Sequence, residues 1–173
     1  MTSIHIPSES VRSGVRVSKA SASGKMLLAC GIVSSLLYAA MLVFIPMVWD
    51  SYSSAAQAVS ELSAIDAPTR ALWVPLGLVY TVLVMAFGFG VWRTASGNRA
   101  LRIVAALLVA YGAIGLGWPP MHQREVLAAG GGTLTDTLHI VWTMATVLLM
   151  LLAIGFSVGR RECADLCVES AVS

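Results

Sequence analysis

The chain has 173 residues, of which 57% are hydrophobic and only 12% are charged, and its formal net charge is +2. A soluble domain has about a quarter of its residues charged, so this composition excludes a globule that covers itself with polar surface. A small net charge without a basic stripe also excludes nucleic acid as a partner. The composition therefore predicts an integral membrane protein.

Four apolar segments have the composition of membrane-spanning helices. They must be helical because hydrocarbon offers no partner for a free backbone N–H or C=O group. The first carries no charged residue and, at about 1.5 Å per residue, is long enough to cross a hydrocarbon core of about 30 Å. The third is short, and the apolar stem of Arg102 extends it. The predicted spans of this all-α four-helix bundle are residues 26–48, 71–92, 101–118 and 137–158.

The basic residues are distributed unevenly between the two sides of these spans. Of the 11 Lys and Arg residues, only Arg70 and Arg124 lie in the first and third connections, and the other nine lie before the first span, from the end of the second span to the start of the third, or after the fourth. Because basic residues concentrate on the cytoplasmic side, both termini are expected to be cytoplasmic. The sequence thus predicts a multi-pass protein of the cytoplasmic membrane, with residues 25–159 as its membrane domain.

Both ends of the chain are predicted to be cytoplasmic tails. Residues 1–24 are rich in serine with scattered basic residues, which predicts a disordered segment that contacts anionic headgroups. Residues 160–173 are polar and are expected to form a frayed extension. Three cysteines, Cys30, Cys163 and Cys167, form no paired framework, and no further ligands accompany the last two for zinc, so reduced thiols are expected.

The first outer connection contains a predicted amphipathic helix over residues 54–64. Ser54 and Gln57 fit a capping box, in which the serine accepts from the backbone and the glutamine reaches back. Apolar residues recur at helical spacing from there on, with Val59 and Leu62 directed at apolar material. Gln57, Ser60 and Glu61 are expected on another face.

The second outer connection contains two prolines that end the third span and three glycines before the fourth. Thr133 or Thr135 can cap the fourth helix, and Asp136 lies favourably at its positive end. Asp136 and His139 are three residues apart, so they share a helix face. His139 then lies about one turn inside the membrane boundary, where an ionisable group needs a partner.

Three motifs together resemble a known family. They are Ser-Glu-Leu-Ser-Ala at residues 60–64, Pro-Pro-Met-His-Gln-Arg at residues 119–124 and Thr-Leu-Thr-Asp-Thr-Leu-His at residues 133–139. In this combination the chain resembles, over residues 26–158, the bacterial and archaeal membrane-protein family called domain of unknown function 998. Members often have six spans, so the resemblance implies a shortened four-span form. It implies a membrane location but no established activity.

Five ionisable side chains are predicted to form one polar cluster over the outer end of the bundle. His139 needs a second partner beyond Asp136, and the two connections offer Glu61 and His122. A cation such as Arg124 would balance neighbouring carboxylates, which otherwise raise one another's pKa. The resemblance points to the same positions: Glu61, His122, Arg124, Asp136 and His139. Each also has an ordinary structural role open to it, as a helix cap or an interfacial contact.

The sequence favours a non-catalytic function, because it contains no nucleophile motif, HExxH motif or glycine-rich phosphate loop. The first hypothesis is a small bundle that binds a lipid or apolar ligand, or an accessory subunit of a larger membrane-protein complex or homo-oligomer. Its expected partners are membrane lipids, and no cofactor is predicted. The alternative is a membrane-embedded hydrolase or metalloenzyme in which Glu61, His122, Asp136 and His139 bind zinc with an open water position. Transport or sensing is a third hypothesis, although paired broken helices are absent from the sequence.

Overall fold

A computed structural model describes residues 22–172, with side chains through residue 158, and these residues form helices without any β-strand. Residues 1–21 of the predicted N-terminal tail lie outside the described part, whereas residues 22–24 already belong to the first helix. In chain order the elements are helix α1 (Ala22–Phe44), a first 3₁₀ helix (Pro46–Val48), a second 3₁₀ helix (Val59–Ser63), α2 (Arg70–Thr94), α3 (Arg99–Gly115), α4 (Arg124–Ala128) and α5 (Leu134–Val172).

Three segments are long and apolar enough to cross a membrane, namely Ala22–Val48, Arg70–Thr94 and Leu134–Val158. They coincide with the first, second and fourth predicted spans and mark the chain as a membrane protein. The third predicted span, residues 101–118, corresponds to α3, an α-helix of 17 residues. The polar segment after residue 158 continues α5 as an unbroken helix to Val172. The side chains of Cys163 and Cys167 lie outside the described ones, whereas Cys30 is a free thiol.

The long helices pack in chain order, α1 against α2, α2 against α3, and α3 against α5. Among the described residues α1 and α5, at the two ends of this row, share no comparable interface. The contact between α2 and α3 is filled by a cluster of buried aliphatic residues, against which Leu28 of α1 packs: Val84, Val91, Val104, Ala105 and Leu108. A second cluster of Met41, Ile45, Leu62 and Trp73 lies where α1 and α2 meet the second 3₁₀ helix.

Glycines permit the close approach of these helices. A Cβ atom built on Gly90 of α2 would lie 2.9 Å from the Leu27 Cβ and 3.0 Å from the Leu27 carbonyl carbon of α1. A Cβ on Gly112 of α3 would lie 2.2 Å from the Met85 Cγ of α2. At Gly90 the backbones of α1 and α2 are therefore in contact, and at Gly112 the Met85 side chain occupies the space that a Cβ would need, as small residues allow in membrane bundles.

The first long connection differs from its predicted structure. Residues 53–57 form turns instead of an α-helix, and only Val59–Ser63 is helical, as a 3₁₀ helix. The physical reason is that the Gln57 side chain accepts a hydrogen bond from the Ser53 N–H at 2.8 Å and closes the turn early, after which Ala58 is extended. The expected Ser54 capping box is therefore wrong. Leu62 is fully buried as expected, whereas Val59 is partly exposed.

Candidate functional site

We call the end of the bundle at which residues 45–69 and 116–133 connect the helices the loop end. Its first connection is held against the start of α2 by two hydrogen bonds. The Thr69 hydroxyl donates to the Leu62 carbonyl at 2.7 Å, and the Arg70 guanidinium donates to the Ser63 carbonyl at 2.6 Å. Thr69, Leu62 and Ser63 are almost fully buried. The second 3₁₀ helix is consequently a fixed part of the bundle.

Glu61 is a buried carboxylate within this 3₁₀ helix, with only 3% of its surface exposed. Its Oε1 accepts from the Ala58 N–H at 3.3 Å, which caps the 3₁₀ helix, and its Oε2 accepts from the Gln57 amide at 3.0 Å. The Arg124 Nε lies 3.9 Å from Oε1 and supplies the opposite charge. Burial, and then the Glu61 charge, raise the pKa of the nearby Tyr52 above its ordinary value. The carboxylate thus stabilises the connection in which it lies.

The two connections of the loop end are joined directly to each other. The Ile65 N–H donates to the Met121 carbonyl at 2.7 Å. The Gln123 side-chain amide donates to the Ile65 carbonyl at 3.3 Å. These bonds cross between segments that are distant in the sequence, so the connections form one layer over the helices.

Asp136 lies at the start of α5 and accepts hydrogen bonds from two other residues, His122 and Thr133. Its Oδ1 accepts from the His122 N–H at 2.7 Å, and its Oδ2 accepts from the Thr133 N–H at 2.7 Å and the Thr133 hydroxyl at 2.9 Å. The His122 Nδ1 lies 3.0 Å from Oδ2. The expected threonine cap is not among the hydrogen bonds of this helix start, where the Asp136 carboxylate instead accepts from Thr133. Asp136 therefore fixes both the start of α5 and the path of the second connection.

His139 lies one turn further along α5 and is 6% exposed. Its Nδ1 is 2.7 Å from the Pro119 carbonyl and 3.0 Å from the Trp118 indole Nε1. The rings of Trp118 and Trp142 lie beside the imidazole, with centroids at 6.3 and 6.0 Å. Both polar neighbours of Nδ1 thus belong to the segment that follows α3.

The five predicted site residues are therefore brought to one end of the bundle in two pairs and a separate histidine. Glu61 contacts Arg124, His122 contacts Asp136, and His139 has neither carboxylate as a recorded hydrogen-bond partner. Within the part of the chain that the structure describes, no group of three or more His, Cys, Asp or Glu side chains is placed to hold a metal ion. Zinc binding stays an alternative hypothesis, and no described contact adds a third ligand to His122 and Asp136.

The structure also contains a cavity that sequence reasoning missed. It has a volume of about 410 Å³ and lies between α1, α2, α3, α5 and the second 3₁₀ helix. Its walls are mainly aromatic and aliphatic, with contributions from Tyr38, Trp73, Tyr80, Tyr111, Trp118 and Trp142. The available signal was the presence of tyrosines inside apolar spans, where a hydroxyl needs a polar neighbour.

Contacts between aromatic residues hold the cavity wall in place. The Tyr80 and Tyr111 hydroxyls lie 3.2 Å apart and hydrogen-bond to each other across α2 and α3. The Tyr38 ring of α1 packs on Tyr80 at a centroid distance of 5.1 Å. The Trp142 indole donates to the Ile114 carbonyl at 3.0 Å. Because each ring is fixed by a neighbour, the cavity is part of the folded bundle.

These features define an all-α membrane protein with a layered loop end and an internal aromatic cavity. The chain belongs to the family described as Protein of unknown function (DUF998), which matches residues 32–169. The resemblance inferred from the three motifs is thereby confirmed. Neither a curated protein nor a solved structure matches the chain.

Proposed function

We propose that the protein binds one apolar or amphiphilic molecule from the membrane in this aromatic cavity, without catalysing a reaction on it. The observation that carries the proposal is the cavity itself. Its volume of about 410 Å³ falls within the range of about 300–1,000 Å³ that is usual for small-molecule sites. Its mostly hydrophobic wall with a few polar groups is also typical of such sites.

The cavity borders the surface of the bundle through apolar residues. Leu78 of α2 and Val147 and Leu151 of α5 line it, and they are 42%, 48% and 61% exposed. On a membrane-embedded bundle this surface faces hydrocarbon. A lipid-soluble ligand would therefore enter sideways between the helices, without passing through water.

We further propose that the chain crosses the cytoplasmic membrane four times, with both termini cytoplasmic and the loop end outside. The nine-to-two distribution of basic residues supports this orientation. The 17 residues of α3 extend about 26 Å. This is slightly less than a hydrocarbon core of about 30 Å, and snorkelling of Arg102 compensates for the difference.

Filling the cavity tests its role. Gly77 lines the cavity, and a Cβ built on it meets nothing within 4 Å, so Gly77→Phe places a ring in the open space. Gly155 on α5 has equally open surroundings but does not line the cavity, so Gly155→Phe is the matched control. Both proteins are purified in nanodiscs and photolabelled with a long-chain alcohol that carries a diazirine in its chain.

Wild type and Gly155→Phe are expected to be labelled at cavity residues. Gly77→Phe should show roughly five- to a hundredfold weaker labelling, because overpacking a site costs about 1–3 kcal/mol. Equal labelling of all three proteins, or labelling only at outward-facing residues, would contradict the proposal. Mass spectrometry of co-purifying molecules then identifies the natural ligand, and any co-purifying protein would indicate the accessory role in a complex.

A further inference from the structure

His139 is a buried ionisable group that borders the cavity and whose role is not explained by structural contacts alone. It lines the cavity and is 6% exposed. Within residues 22–158, hydrogen-bond partners are found for its Nδ1 and not for its Nε2. No fully buried side-chain nitrogen or oxygen in this part of the chain lacks a partner, so the unpaired Nε2 retains accessible surface. The ring that borders the cavity therefore has one accessible nitrogen without a hydrogen-bond partner among these residues.

The contacts of Nδ1 decide which nitrogen carries the proton. A carbonyl oxygen can only accept and an indole N–H can only donate, so Nδ1 cannot hydrogen-bond to both Pro119 and Trp118. The contact with the Pro119 carbonyl is the shorter, at 2.7 Å against 3.0 Å. Either assignment leaves one unfavourable contact: a lone pair on Nδ1 would face the Pro119 carbonyl at 2.7 Å, and a proton on Nδ1 would face the Trp118 N–H at 3.0 Å. The shorter contact is the more costly one. We therefore place the proton on Nδ1, which in the neutral imidazole leaves Nε2 as an acceptor.

The other polar groups of the cavity fit the same ligand chemistry. Among the described residues, no Asp, Glu, Lys or Arg side chain lines the cavity, so there is no counter-charge for an ionic headgroup. The hydroxyls of Ser63, Thr143 and Thr146 donate to carbonyls of their own segments. The free lone pairs of their oxygens remain for a donor from the ligand.

The cavity has a polar and an apolar end. Ser60, Ser63 and His139 line it at the loop end, and Met150 and Leu151 line it further along α5. His139 and Leu151 are twelve positions apart, which corresponds to about 18 Å along the helix axis. Such a site suits a slim molecule with a polar group at one end and a hydrocarbon chain at the other.

We propose that the ligand is an uncharged membrane amphiphile with a hydroxyl headgroup, and that this hydroxyl donates a hydrogen bond to the His139 Nε2 while the hydrocarbon chain extends towards Leu151. This inference rests on the proposed function, since it names the ligand class of the same cavity. His139 is then the residue that selects the headgroup, and the aromatic walls accept the chain.

Two photoreactive probes with the same diazirine-bearing chain test the inference, a long-chain alcohol and its methyl ether. The ether keeps the oxygen but cannot donate. In nanodiscs, wild-type protein should be half-saturated by the alcohol at a concentration roughly 2- to 10-fold lower than by the ether, the range expected for one net hydrogen bond. This comparison needs no variant, so it does not depend on a substitution being tolerated.

The variant His139→Asn tests whether the preference for the alcohol comes from the histidine. The asparagine amide can keep a donor near the Nδ1 position for the Pro119 carbonyl, but it places no acceptor at the Nε2 position. With its folding checked by thermal unfolding, this variant should bind both probes with equal half-saturation. A preference for the alcohol that persists in His139→Asn would overturn the role of His139.

The outcomes separate the two proposals. Equal half-saturation of wild type by both probes, with labelling still weakened by Gly77→Phe, would overturn headgroup selection and leave the cavity as an apolar site. Cavity labelling by neither probe would overturn the binding function itself, and headgroup selection with it.

Discussion

Asp136 is the residue whose polar contacts are most closely defined, because its two oxygens accept from two backbone N–H groups and one hydroxyl. In Asp136→Asn an NH₂ group replaces one oxygen and faces a donor. Leaving buried donors without an acceptor costs about 1–3 kcal/mol, so the free energy of unfolding should fall by that amount. Thermal or denaturant unfolding in detergent measures it.

The control for this change is Glu125→Gln, which makes the same chemical replacement on the exposed surface of α4. An exposed substitution of this kind should change stability by less than about 0.5 kcal/mol. If both variants lose the same stability, the hydrogen bonds of Asp136 contribute nothing particular to the fold.

At the scale of elements, the packing of α1 on α2 depends on the absence of a side chain at Gly90. Gly90→Leu would bring a Cβ to 2.9 Å from the Leu27 Cβ, so the two helices must separate. Overpacking of this kind costs about 1–3 kcal/mol. Unfolding in detergent should show that loss for Gly90→Leu and little change for Gly155→Leu, whose added Cβ meets nothing within 4 Å. Equal stability of both variants would contradict the backbone contact.

For the whole molecule, accessibility of single cysteines tests the proposed orientation. The native Cys30, Cys163 and Cys167 are first replaced by alanine, and one cysteine is introduced at Ser54, Gly132 or Ser96, all of which are exposed. Gly132 suits the purpose because its added Cβ would meet only the Leu127 side chain at 3.5 Å. A membrane-impermeant maleimide added to intact cells should label Ser54→Cys and Gly132→Cys.

Ser96→Cys should react only after the cells are permeabilised, because it lies between the second and third helices on the side with the basic residues. Labelling of Ser96→Cys alone in intact cells would invert the topology. Labelling of Ser54→Cys without Gly132→Cys would remove α3 from the set of spans.

The sequence predicted the first, second and last of the long helices well, because each contains an apolar run whose length alone identifies it. It also indicated that Asp136 lies at the start of the last helix, since the bonds that hold it there join Thr133 and Asp136, which are three residues apart. It did not predict the contact of His122 with Asp136 or the bond from Ile65 to Met121, which depend on the paths of two connections. The sequence predicted a helix over residues 54–64, of which only Val59–Ser63 is helical, as a 3₁₀ helix, because the Gln57 side chain accepts from the Ser53 N–H and closes the preceding turn.

The cavity could not be predicted either, for a different physical reason. Tyr38, Tyr80 and Tyr111 lie in three separate helices, and each reads in the sequence as an ordinary residue of an apolar run. Only the rotation of the helices about their axes brings them to one wall. Hydrophobic periodicity carries little information on that rotation when a helix is apolar on all sides.

The bond between the Ile65 N–H and the Met121 carbonyl also sets an order of events during biosynthesis. Met121 follows α3, so the ribosome must have made three helices before this bond can form. Asp136 receives its partners later still, when α5 begins. Until Met121 has been made, the polar backbone of the first connection lacks this partner. A chain arrested after α2 therefore presents an open segment to membrane proteases, and synthesis beyond α3 removes that vulnerability.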